Sequence, residues 1–282
     1  MKRREFLTAS GVTAAALTSA TAIEANAAQP LNIFRSGRAA TSRTREYVEV
    51  RKYTVKDADK RTKLVEILDK ALVPALNRQG LKPVGVFAPL EGDVVPQNEK
   101  EKNALTVFVV IPHKTTETFV NANAKLLADR TYRKDAAPIF ETNSKDPVYT
   151  NCDTFFLYNF PTIPVLEAPS LGADRIFQLR LYRSFNIERN AAKIKMFDQG
   201  GEMPLFRKVG LNPIFFGDVI AGNRLPALLY MFGCPSVEAR NTSWKNFVES
   251  PEWKEISHQP EYSDTATEIE NFFLKPSPGS QI

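Results

Sequence analysis

Histidine is almost missing from this 282-residue chain. The two that occur, His113 and His258, belong to no metal-spaced cluster. Cysteine is equally scarce: Cys152 and Cys234 lie far apart and form no CxxC motif. No Ser/His/Asp arrangement and no glycine-rich phosphate loop is present. Charge of one sign is lacking as well. A formal net +5, from 37 basic and 32 acidic residues, is too weak to argue for nucleic acid. No apolar run is long enough to cross about 30 Å of hydrocarbon. These gaps leave no motif for a metal centre, thiol redox chemistry, a catalytic triad or a membrane span, and no metal is expected.

What is present begins at residues 1–28, where a charged segment, an Ala/Thr-rich apolar stretch and small residues before Ala27 and Ala28 read as an export signal. Arg3-Arg4 followed by Phe6-Leu7 resembles the twin-arginine signature, with an ordinary secretory signal as the alternative. The expected location is therefore periplasmic or secreted. Removing residues 1–28 takes away Lys2, Arg3, Arg4, Glu5 and Glu24, which lowers the net charge from +5 to +4. Residues 29–45 carry Arg35, Arg38, Arg43 and Arg45 before the first acid at Glu46 and read as a flexible basic arm. An oxidising compartment permits a Cys152–Cys234 bridge, with two small buried thiols as the default.

The rest of the chain says the same thing twice. LVPALNRQGLKPVGVF (72–87) and EMPLFRKVGLNPIFFG (202–217) keep their prolines and glycine in register, so Pro74 and Gly80 recur as Pro204 and Gly210. Each half opens on a strand, EYVEVRKY then RIFQLRLY, in which Arg51 aligns with Arg180 and Tyr53 with Tyr182. A helix with an apolar stripe follows, broken at the proline, which removes a backbone donor, and stopped at the glycine. Two strands apolar on both faces, a second helix (Thr115 to Arg130; Ser236 to Ser250) and a closing strand complete each copy.

Strand, helix, strand, strand, helix, strand is a ferredoxin-like order. The expected fold is α+β, with two such repeats in tandem whose antiparallel sheets face each other as an intrachain α+β barrel, each burying the other's apolar face. The expected boundaries are 46–161 for the first repeat, 162–174 for a proline-rich linker, 175–277 for the second repeat and 278–282 for a tail.

FQLRLYRSF, MPLFRKVGLNPIFFGDVIAGNRLPALLYMFG and ARNTSWKNFVESPEWKEI resemble the NIPSNAP family, specifically over 175–256 and faintly in the first half. The resemblance, taken to its exported bacterial branch, implies membership of the dimeric α+β barrel class. It implies no reaction, because the family has no agreed activity, cofactor or catalytic residue set. Haem-holding relatives use a helix histidine that no expected helix here offers, and no cofactor is expected.

Six residues stand out as candidate ligand contacts: Arg51, Tyr53, Arg180, Tyr182, Phe216 and Tyr230. Strand alternation places Glu49, Arg51 and Tyr53 on one face, and Gln178, Arg180 and Tyr182 on the matching one. The expectation is that this polar face looks toward the partner sheet. Two guanidiniums there can form an anion pocket or be neutralised by neighbours such as Glu49. Phe215, Phe216, Tyr230 and Phe232, backed by Trp244 and Trp253, either line a cavity or fill a core.

On this reading the chain is an exported protein of unassigned activity that binds a small molecule or a protein partner, a second copy of itself included. The alternative is a cofactor-independent enzyme of monooxygenase, isomerase or cyclase type, in which Arg180 and Tyr182 polarise or protonate a carbonyl.

Overall fold

The structure is a computed structural model describing residues 44–91 and 103–282. The export signal at 1–28, the basic arm up to residue 43 and the loop at 92–102 lie outside the described residues. The first repeat supplies β1 (Tyr47–Thr54), α1 (Ala58–Ile67), α2 (Val73–Arg78), β2 (Gly85–Pro89), β3 (Thr106–His113), α3 (Thr116–Ala128), α4 (Arg130–Asp135), α5 (Ala137–Phe140) and β4 (Asn151–Asn159). The second supplies β5 (Ile176–Arg183), α6 (Ile187–Asp198), α7 (Glu202–Lys208), β6 (Asn212–Ala221), β7 (Ala227–Cys234), α8 (Val237–Glu249), α9 (Pro251–Ser257) and β8 (Glu268–Pro276).

Local chemistry marks the same positions in both copies. Asp57 and Asn186 cap the first helix of each repeat by accepting from Lys60 N and Arg189 N, and Thr115 and Ser236 cap the second in the same way. Between α1 and α2 the chain widens into a π turn, Leu68–Leu72, and Pro74 falls in the first turn of α2. In the second copy α6 ends at Asp198 and α7 restarts with Pro204 in its first turn. In the first copy the helix runs on through the π turn beside Pro74, so the break expected there is only a bulge; in the second, Pro204 sits in a fresh first turn, which has no use for the missing N–H. Gly80 and Gly210 then turn the chain with φ of 81° and 89°, a left-handed conformation natural to glycine.

The eight strands close into one antiparallel barrel in the order β1-β3-β2-β8-β5-β7-β6-β4. Each repeat contributes four neighbouring strands. The two sets meet at two seams, β2 with β8 (Ala88↔Lys275) and β4 with β6 (Tyr158↔Asp218). A Cβ on Gly217, at the second seam, would come within 2.8 Å of Leu157 Cβ, so the close approach needs a residue without a side chain. Among the described residues, closure pairs every strand with a neighbour on each side.

Inside the barrel lies a core drawn from all eight strands, including Val50, Phe87, Phe108, Leu157, Leu179, Phe215, Met231 and Phe272. Two further cores sit outside it, where helices cover the sheets. One joins Leu64, Leu72, Leu76 and Leu126 to Tyr53, Val107 and Val109; the other joins Phe197, Phe206 and Phe247 to Tyr182, Phe216, Tyr230 and Phe232. The polar strand face therefore looks toward the helices and not toward the partner sheet, a reversal of the sequence expectation. A closed interior offers only inward side chains and no water, whereas the helices bring polar partners to the outer face.

The linker is packed, with Ile163 fully buried and Glu167 N donating to Ile214 O at 2.8 Å. The tail is held too, since Gln281 N donates to Val84 O at 2.9 Å and the Ile282 side chain joins the barrel core. Leu157, fully buried at the β4–β6 seam, tests barrel closure. Leu157→Ala should cost about 2–5 kcal/mol in urea unfolding, and a loss below about 1 kcal/mol would contradict the placement.

Candidate functional site

The repeated arginine meets opposite fates in the two copies. In the first, Arg51 Nε donates to Glu49 Oε1 at 2.6 Å, and Nη2 donates to Asn123 Oδ1 of α3 at 3.1 Å. The other carboxylate oxygen, Glu49 Oε2, lies 3.0 Å from His113 Nε2, and His113 Nδ1 is 3.1 Å from Thr118 Oγ1. Burial alone would raise the Glu49 pKa. The His113 hydrogen bond and the Arg51 charge outweigh it and hold the carboxyl below its ordinary value. This chain of buried groups is internally satisfied, with Tyr53 packed beside it as an un-ionised phenol whose pKa burial raises.

The second copy keeps the arginine and removes its partners. By strand register Gln178 stands where Glu49 does and Cys234 where His113 does. Gln178 Oε1 is committed to Arg240 of α8, accepting from Nε and Nη2 at 3.0 and 2.8 Å. Arg180 is left with a buried Nε that has no hydrogen-bond partner. Its guanidinium stacks 4.5 Å from the Trp244 ring centre and 5.4 Å from that of Tyr182. Burial, followed by the like charge of Arg180, pushes Arg240 down to about 10.

Two more buried ionisable groups face the same space. Lys193, on α6, places its ammonium 5.2 Å from the Tyr182 ring and 5.0 Å from Phe197, and burial lowers its pKa. Glu202 opens α7, is 3% exposed, and has an Oε2 without a partner. Burial pushes its carboxyl up to about 7, against the pull of Lys193 and Arg180. The Tyr182 and Tyr230 hydroxyls lie 3.3 Å apart, and Tyr230 stacks on Phe216 at 4.5 Å. Burial raises both phenols above their ordinary range, so they stay protonated donors. Phe197, Phe206 and Phe232 form the surrounding aromatic wall.

The structure thus brings Arg180, Tyr182, Phe216 and Tyr230 together, and places Arg51 and Tyr53 under a different set of helices. No pocket holds both guanidiniums between the sheets, because that space is the apolar barrel core. Phe215 leaves the group as well: a register shift between Pro213 and Phe215 turns it into the barrel while Phe216 faces the helices. Cys152 and Cys234 are unbridged. Lys193 and Glu202 were not legible as site residues, although Lys193 interrupts the buried spacing Asn190, Lys193, Phe197 and so carries a signal. Among the described residues there is no group of three or more His, Cys, Asp or Glu suited to a metal, and no helix long and apolar enough to cross a membrane.

The architecture, one chain closing eight strands with helices outside, is an α+β barrel with both halves on a single polypeptide. Two solved proteins share it over most of their length, each described as a "putative monooxygenase". The one from Lactobacillus acidophilus aligns with 82% of this chain and 94% of its own at 11% identity and TM-score 0.53. The one from Fusobacterium nucleatum aligns with 83% and 93% at 12% identity and TM-score 0.51. At these identities the likeness speaks to the fold alone.

The second half is the part with a family likeness: residues 177–281 match the NIPSNAP family model. A NIPSNAP-like domain protein from Burkholderia xenovorans aligns with 38% of this chain and 89% of its own, at 19% identity and TM-score 0.34. No curated protein matches the sequence.

The raised Glu202 pKa fixes a pH signature. Between its ordinary 4.5 and about 7 the folded carboxyl holds a proton that the unfolded chain releases, so stability falls as pH rises through that window. Glu202→Gln removes the effect. The wild type should lose up to about 3 kcal/mol relative to Glu202→Gln between pH 4 and pH 8 in urea unfolding, and parallel profiles would contradict it.

Proposed function

We propose that the NIPSNAP domain binds a compact organic anion, aromatic or enolic, between its sheet and its helices. The observation that supports this reading is the internal comparison: the same arginine is neutralised by Glu49 in one repeat and has no acid bonded to it in the other. A buried cation with no acid bonded to it is costly to maintain, and a ligand anion would relieve that cost. Arg180 and Lys193 would hold the charge, Tyr182 and Tyr230 would donate to it, and Phe216 with the neighbouring rings would stack on its apolar part. Arg180 and Lys193 keep 9% and 8% exposure, so the charged end would lie nearest solvent. The reading includes export through residues 1–28 as the route by which such a protein meets its ligand outside the cytoplasm, and the exported bacterial branch of the family as its origin.

The second reading is a cofactor-independent enzyme. It is favoured by Glu202, whose carboxyl near 7 is poised to take up and return a proton at neutral pH beside two cations that would stabilise an enolate.

Trp244, stacked on Arg180, provides the assay. Titration with 1-hydroxy-2-naphthoate should quench tryptophan fluorescence saturably, and Lys193→Met should weaken binding about 10- to 100-fold, the loss of one charge-assisted contact. Absence of saturable quenching, or equal affinity in Lys193→Met, would reject the proposal. For the enzymatic reading, deuterium exchange at an acidic C–H of an added cyclic ketone should be accelerated by the wild type and not by Glu202→Gln, and equal rates would reject it.

A further inference from the structure

The barrel has two unlike ends. At one, Phe87 and Phe177 pack edge to face at 5.0 Å, and the side chain of Ile282 joins the same core. At the other, strand alternation carries the inward positions from apolar to charged: Val50 to Lys52 on β1, Leu181 to Arg183 on β5, Phe272 to Glu270 on β8, and Phe155 to Asp153 on β4. A cavity of about 170 Å³ opens there, with the apolar residues as its floor and the charged ones, with Asn223 and Arg224, as its rim. A cavity of this order is large enough to hold a small apolar group on its floor.

The rim contains a buried donor without an acceptor. Arg183 is 6% exposed, and its terminal nitrogens are committed: Nη1 donates to Asn223 O at 2.9 Å and Arg224 O at 3.0 Å, and Nη2 to Glu270 Oε1 at 2.9 Å. Its Nε has no hydrogen-bond partner, with Glu268 Oε2 no nearer than 3.9 Å. Glu268 also pairs with Arg224. Lys52 places its ammonium 4.9 Å from the Phe272 ring, directly over the cavity lining. Opposing these two cations, Glu270 is occupied by Arg183, and Asp153 stands across the ladder from Lys52.

We infer that the barrel mouth is a second ligand site, separate from the helix-covered one, for a small apolar carboxylate: a branched or aromatic group of about five or six carbons on the floor, and a carboxylate accepting from Arg183 Nε and Lys52. An acceptor at Arg183 Nε completes the hydrogen bonding of that buried group, and burial of the apolar part in the cavity supplies the rest of the affinity.

The test is isothermal titration calorimetry on the full chain with 4-methylpentanoate, 4-methyl-1-pentanol and 4-methylpentylamine. The carboxylate should bind with a stoichiometry of one, at least about tenfold tighter than the alcohol, with the amine weakest. Lys52→Met should weaken the carboxylate about tenfold or more, and Leu229→Trp should abolish binding, since Leu229 also lines the cavity and the indole would fill it. Glu202→Gln, remote from the mouth, should bind as the wild type does. No binding of the carboxylate, an amine that binds as tightly as it, unchanged affinity in Lys52→Met, or loss in Glu202→Gln would each overturn the assignment. Because Lys52→Met alters only a rim side chain, it decides the matter if Leu229→Trp fails to fold.

Discussion

Closing eight strands from one chain into a barrel imposes a single constraint from which the rest follows: whatever points inward must be apolar or sit at a mouth. Val48, Val50, Leu179 and Leu181 satisfy it, so the alternate residues, Glu49, Arg51, Gln178 and Arg180, are directed outward under the helices. A separate ferredoxin-like half would leave its inward face in water. The duplicated chain covers that face with its own second half and joins the sheets at β2–β8 and β4–β6.

The two halves treat the repeated arginine differently. The first repeat neutralises its buried arginine through Glu49, backed by His113 and Thr118, and this makes a rigid polar layer. In the second, Gln178 and Cys234 occupy the corresponding positions, and Arg180, Lys193 and Glu202 share a buried aromatic space in which two polar atoms, Arg180 Nε and Glu202 Oε2, have no partner. Buried polar groups are nearly always paired in proteins, and clustered exceptions point to a place where something else is accommodated. The family match falls on this second half.

Much of the fold was legible in the sequence because its punctuation is local. Gly80 and Gly210 take a left-handed turn, Thr115 and Ser236 cap the second helix of each copy, and Pro204 falls where a helix restarts, whereas at Pro74 the helix only bulges. Which strand face points inward was not legible. On β5 all eight positions are buried, so the contrast in polarity separates a helix layer from a barrel interior and not core from solvent. That Phe215 and Phe216 enter different cores was not legible either, since a register shift beside Phe215 breaks the alternation. Glu202 was invisible because an acid in the first turn of a helix is ordinarily a solvated partner of the helix dipole; its burial depends on how α7 docks on the sheet.

The two equivalent arginines differ in kind: Arg51 is bonded to a buried acid, and Arg180 is bonded to none. Urea unfolding of Arg51→Met beside Arg180→Met measures that difference directly. Arg51→Met leaves Glu49 buried against His113 without its main counter-charge and should lose about 3–5 kcal/mol, whereas Arg180→Met abandons no bonded acid and should stay within about 1 kcal/mol of the wild type or exceed it. Equal losses at the two positions, or the larger loss at Arg180, would contradict the account.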